Sequence, residues 1–153
     1  FDCVLLDAAA GLNGITEIIV RGSDWVLIPQ QAEPLAVRSV PLLLETLARF
    51  RSEGAPVRVA GILLTMLSQQ VDASVKVARE LRQLLPPALL FKQSIPRDPL
   101  FLEASGLGLP LALMRKNPPA PALLFDQIAA DLEERTGLIS QKEQSHSHAS
   151  LLD

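Results

Sequence analysis

Short apolar runs of strand length alternate along this chain with longer stretches of helical period, and that alternation limits the fold more than any other feature. The runs are Trp25-Val26-Leu27-Ile28, residues 57–64 and Leu89-Leu90-Phe91, with a further one, Phe1-Asp2-Cys3-Val4-Leu5-Leu6-Asp7, that ends in an acid. A continuous apolar run bounded by polar residues reads as a strand buried on both faces. Strands that alternate with helices build a parallel sheet with helices on its faces. Open sheets of this kind bind ligands outside the carboxyl ends of their strands, which is where Asp7 would stand. The competing reading of Asp7 is a solvated acid at a strand exit.

Helices fill the intervals. Ile15, Ile18 and Ile19 recur at helical spacing before Gly22, which supplies a stop. Pro29 is expected to halt the second run. Val40, Leu43, Leu44, Leu47 and Phe50 form one stripe, and Pro41 cannot sit deep inside their helix. Either Ser39 caps it with Pro41 in the first turn, or a helix from about Leu35 is kinked at the proline. Val77, Leu81 and Leu84 mark the next helix, which Pro86-Pro87 ends. Asp98-Pro99 is an N-cap and first-turn pair for a short helix ending at Gly106. A last helix carries Leu124, Phe125, Ile128 and Leu132 toward the core and stops at Gly137. The polar residues 138–153 read as a disordered tail, and its His146 and His148 as inert. About four strands with the first at residue 1 leave no obvious cover for both sheet edges, which points to strands missing upstream.

Composition narrows the function classes. At 153 residues the chain makes one domain. With 48% hydrophobic and only 4% aromatic residues, its core must be aliphatic. A net charge of −3 argues against a whole-surface nucleic-acid binder but leaves room for a local basic patch. One cysteine provides neither a disulfide framework nor a zinc set, so a reducing cytoplasm is expected. Cys3, Trp25 and Met114 are assigned to packing. No apolar stretch has the length of a membrane span.

Four stretches carry a family resemblance. Ile95-Pro96-Arg97, followed by Glu103-Ala104 and by Gly108 and Pro110, resembles the I-P-R-x₅-E-A-x₃-G-x-P segment of the ParA/MinD deviant Walker ATPases, especially the Soj-like branch. Residues 1–7 look like that family's Y/F-D-x-I-I-I-D strand, and residues 26–36 like its V-L-I-P-x-Q-x-E-x-x-A stretch. Gly61-Ile62-Leu63-Leu64-Thr65-Met66 looks like its G-x-L-L-T-M strand end. The likeness runs over residues 1–137, in order and at similar spacing.

The resemblance implies a partial P-loop NTPase-like (SIMIBI) three-layer α/β fold, a mostly parallel sheet flanked by helices with its N-terminal strands missing. It implies an ATPase that dimerises on ATP, binds DNA non-specifically and answers to a ParB-like stimulating partner in plasmid or chromosome segregation. ATP and Mg²⁺ are the implied cofactors, in a cytoplasmic, nucleoid-associated protein. Asp7 takes the place of the family's Walker-B acid, which holds Mg²⁺ through water. Met66, Ile95, Pro96 and Arg97 correspond to positions near the adenine, and ordinary loop packing is the alternative for them. Glu103 either secures the loop or touches ligand. Arg79, Arg82, Arg97, Arg115 and Lys116 are candidates for a DNA-facing patch, against a solvated helix face interrupted by Glu80.

Departures from the family pattern matter as much. No Gly-x₄-Gly-Lys-Ser/Thr occurs in the sequence, so it is expected to be the carboxyl-terminal half of such an ATPase and to hydrolyse no nucleotide. Ala9, Ala10 and Gly11 replace the prolines of the family's switch loop, and Leu67-Ser68-Gln69-Gln70 replaces its D-x-R. Two other readings stand beside it: a truncated homologue acting as a binding module, and a MinD-like positioning ATPase. The second would need an amphipathic membrane helix, for which residues 141–153 show no apolar face.

Overall fold

The structure, a computed structural model, describes residues 1–138. The expected tail, with His146 and His148, lies outside the described residues. The chain is α/β. Helix α1 (Gly14–Arg21) leads into strand β1 (Trp25–Gln31), α2 (Ala36–Ser52) crosses over, and β2 (Arg58–Thr65) returns beside β1. The two strands pair in parallel, Trp25 opposite Arg58 through Gln31 opposite Thr65. Parallel neighbours need such a crossover, and α2 provides it. Then come α3 (Asp72–Leu84), a 3₁₀ turn (Pro87–Leu89), α4 (Pro99–Leu107), a second 3₁₀ turn (Leu111–Leu113) and α5 (Ala120–Thr136).

The core forms where the apolar runs meet the helix stripes. Val40, Leu47 and Phe50 of α2, Ile62 and Leu64 of β2, and Val77 and Leu81 of α3 lie in one buried cluster. A second joins Leu63, Phe91 and Ile128, and a third gathers Ala104, Leu111 and Ala122 under α4 and α5. Met114 packs against the third, and Trp25 lies half-buried under the Arg58 guanidinium, 4.0 Å from its ring. The aliphatic core expected from the composition is therefore present.

Several expectations are corrected. Residues 1–7 form no strand and are exposed, with Leu5 83% and Leu6 61% accessible. An extended run becomes a strand only where a neighbour takes its backbone groups. Here β2's outer side is occupied by residues 90–96, and no ladder joins residues 1–7 to β1. Cys3 is accordingly exposed rather than packed. Pro29 does not end β1; it pairs opposite Leu63 and the strand continues to Gln31. A strand with one unpaired edge tolerates proline because a missing donor there costs no ladder bond.

Leu89-Leu90-Phe91 is not a fourth strand. The fixed φ of Pro87 begins a 3₁₀ turn, and only Leu90 forms a bridge, with Ile62. Among the described residues the sheet thus has two strands rather than about four. Helix α2 follows the longer alternative, starting after Leu35 with Pro41 inside it. Helix α1 turns a different face inward: Thr16 and Val20 are buried, while Ile15 and Ile18 face solvent. Thr16 Oγ1 donates to the Ala9 carbonyl at 3.2 Å, and Arg21 pairs with Glu17 at 2.7 Å and Glu53 at 2.6 Å while lying over Phe50. Those polar anchors set the helix rotation. The two carboxylates, Glu53 first, hold the Arg21 guanidinium above its ordinary pKa. Leu84 and Phe125 are also more exposed than their stripes implied. Helix α4 runs one residue past Gly106 and closes on Gly108, whose φ of 64° is the left-handed cap that glycine favours.

Candidate functional site at the carboxyl end of the sheet

Three distant segments meet where the parallel strands end. The turn after β1 is tied to β2 by the Ala32 amide, which donates to the Thr65 carbonyl at 2.9 Å. Met66 follows with φ 55°, a left-handed backbone uncommon for any residue but glycine, and its side chain is 42% exposed. Residues 95–97 then run alongside. The Ile95 amide donates to the Leu64 carbonyl at 2.8 Å, the Leu67 amide to the Ile95 carbonyl at 3.1 Å, and the Arg97 amide to the Leu67 carbonyl at 3.0 Å. Leu67 and Pro96 form a parallel bridge there. Arg97 Nη2 also reaches Glu33 Oε1 at 3.6 Å, joining this strap to the turn after β1.

Met66, Ile95, Pro96 and Arg97, singled out in the sequence, are thus brought together. The arrangement offers a half-buried isoleucine and proline, a thioether, and a guanidinium paired with a carboxylate. Apolar surface with a few polar groups suits a flat heteroaromatic ligand with a charged substituent. The following loop is held by the Ser68 amide, which donates to Ser74 Oγ at 3.1 Å. Two surface grooves lie elsewhere, one along Val37, Glu80, Gln83 and Leu84 and the other along Lys92, Gln93, Gln127 and Glu134. Both are open.

Asp7 is not brought to that end by any ladder; it stands exposed in the unpaired opening segment. Among the described residues no group of three His, Cys, Asp or Glu is placed to hold a metal ion. The candidate DNA cations divide between two places. Arg79 and Arg82 are exposed on α3, where neighbouring Lys76 pairs with Glu80 at 3.8 Å. Arg115 and Lys116 lie before α5, and Arg115 reaches Glu103 at 3.9 Å. Glu103 therefore faces a cation of its own neighbourhood.

Sequence reasoning missed Arg135. Its Nε and Nη2 bind Asp131 at 2.7 and 3.3 Å, its Nη1 donates to the carbonyls of Ala60 at 3.1 Å and Ala88 at 2.6 Å, and its Nη2 to that of Leu90 at 2.9 Å. The guanidinium lies over the Phe91 ring at 4.3 Å. The β1–β2 register skips Ala60, a bulge that turns its carbonyl to this use. The Asp131/Arg135 spacing of four was the only signal in the sequence.

No family model matches the chain. Among curated proteins it is 31% identical over 138 residues to the chromosome-partitioning ATPase Soj of Thermus thermophilus, covering 88% of this chain and 55% of that one. It is 28% identical to the sporulation initiation inhibitor protein Soj of Bacillus subtilis, over 74% of this chain and 45% of that protein. The chromosome partitioning protein ParA of Myxococcus xanthus is 27% identical, over 74% and 40% respectively. The chain spans about half the length of the curated relatives it matches. No described helix is long and apolar enough to cross a membrane. Over that half, the chain is similar in sequence to the Soj and ParA partitioning proteins.

Proposed function

We propose that this chain is the carboxyl-terminal part of a ParA-type partition ATPase acting in plasmid or chromosome segregation. In this reading residues 95–97 and Met66 receive the purine of ATP, and Asp7 serves the bound Mg²⁺ once residues 1–7 are drawn into a completed sheet. ATP-dependent dimerisation, non-specific DNA binding through Arg79, Arg82, Arg115 and Lys116, and a ParB-like stimulating partner complete it. The observation that carries the proposal is the similarity to Soj and ParA over 74–88% of the chain. The meeting of the three resemblance-bearing segments at one sheet end agrees with it, since that is where open α/β sheets take ligands.

The sequence given contains no phosphate-cradling Gly-x₄-Gly-Lys motif, so residues 1–153 by themselves are expected to release no phosphate from ATP. Fluorescence anisotropy with a short arbitrary duplex tests the DNA role. Binding should weaken with salt, and Arg79→Glu with Arg82→Glu should lower the slope of log K against log salt by about two. Unchanged affinity and slope would remove α3 from the surface, and no binding at low salt would refute DNA coating by this part of the protein. The second reading is a non-enzymatic binding module. Saturable binding of a fluorescent ADP analogue at Met66 and residues 95–97 separates the two.

A further inference from the structure

We propose that Arg135 is a positioning residue for the purine-side strap, fixing its register from the far end of α5. The inference rests on the reading that residues 95–97 face the nucleotide. A guanidinium has five N–H donors in a rigid planar fork, and all five are used here. Two are spent on Asp131, which aims the fork. The other three read carbonyls of the β2 bulge and of the root of the strap.

The two strap carbonyls belong to Ala88, inside the 3₁₀ turn, and Leu90, just after it, so one fork holds both the turn and the first residue of the strap. A slip of the root along β2 would part the fork from the Ala60 carbonyl or from those of Ala88 and Leu90, which three donors of one rigid plane reach together. From Leu90 the strap runs along β2 through the Ile62 bridge and the Phe91 amide, which donates to the Ile62 carbonyl at 3.0 Å. Its next backbone bond to β2 is at Ile95. Four strap residues span two of β2 between these bonds, so Arg135 fixes the point from which the strap departs toward Met66 rather than a continuous ladder. Apolar contact from Phe91 supplies adhesion there but no register, because burial is not directional. A lysine in place of Arg135 keeps the charge and loses the fork.

Amide hydrogen exchange on residues 1–153 tests this in the wild type, Arg135→Lys, Arg135→Met and Asp131→Asn. Protection of the Ile95, Leu67 and Arg97 amides should fall about tenfold or more in both Arg135 variants and less in Asp131→Asn, while the β1–β2 ladder amides change little. Equal loss across strap and ladder, or an unchanged strap, would overturn the proposal, since a merely structural staple predicts one or the other. If Arg135→Met does not fold, Arg135→Lys and Asp131→Asn decide. A fluorescent ADP analogue gives the second arm, with weaker binding expected in Arg135→Lys. No saturable binding in the wild type would defeat the purine reading, while the exchange arm still decides the role of Arg135.

Discussion

Gly61→Ala is a one-carbon change with a calculable cost. A Cβ on Gly61 would stand 2.6 Å from Phe91 Cε2, 2.9 Å from Phe91 Cδ2 and 2.9 Å from Arg135 Nη1. Carbon atoms pack at roughly 3.5–4.0 Å, so the overlap with the ring is about 1 Å. Neither neighbour can yield cheaply. Phe91 is buried among Leu63 and Ile128, and Arg135 has no free donor to re-aim. Overpacking of this kind costs about 1–3 kcal/mol, and displacing Arg135 from the Ala60 carbonyl adds about 1 kcal/mol. The sum, about 2–4 kcal/mol, is a large part of a typical domain's stability of about 5–15 kcal/mol. Urea unfolding should show it directly, and the melting temperature should fall by roughly 10 °C. Phe91→Leu removes the ring edge, so the double variant should be more stable than the sum of the singles predicts, with a coupling of about 1 kcal/mol or more. A Gly61→Ala protein within about 0.5 kcal/mol of the wild type, or an additive cycle, would refute the steric account.

Phe50→Ala should cost about 3–5 kcal/mol in urea unfolding, because the side chain is fully buried in the main cluster. A loss below about 1 kcal/mol would mean that α2 does not pack on the sheet as described. Asp98 Oδ1 accepts from the Leu100 amide at 2.9 Å, so Asp98→Ala should cost about 1 kcal/mol. It should also speed exchange in the first turn of α4, with the β1–β2 ladder unaffected.

The helices were the most legible part of the chain. Helices α2, α3 and α5 follow from their stripes, Gly22 and Gly137 close α1 and α5, and Asp98 opens α4, whereas the inward face of α1 and the stop of α4 at Gly108 did not follow from the pattern. Strands were legible only where the chain itself supplies the partner. The runs at β1 and β2 find each other, whereas residues 1–7 and 89–91 have the same composition without a ladder. Apolar content specifies that a segment wants to be paired, and pairing needs a second chain segment. Met66, Ile95, Pro96 and Arg97 could be named from their motifs, and the strap's hydrogen bonds explain why Ile95, Pro96 and Arg97 form a unit. Gly61 was read as part of a pattern, and its cause emerged only with Phe91 and Arg135 in place. Arg135 stayed hidden because its partners are carbonyls, which every residue possesses.

The meeting of the β1 turn, the β2 end and the strap has a consequence in time. Glu33, Met66 and Arg97 lie about a third of a hundred residues apart in sequence, so no local segment can assemble their neighbourhood. Each pairing must first close a loop containing a whole helix, and that entropy is lost before any contact rewards it. Helices α2 and α3 can form early from nearby residues, but this corner of the molecule exists only once the crossover has closed and the strap has docked. In a refolding experiment the Leu67 and Arg97 amides should therefore gain protection after those of α2. The protein cannot present this surface until α2 has crossed over and the strap has docked.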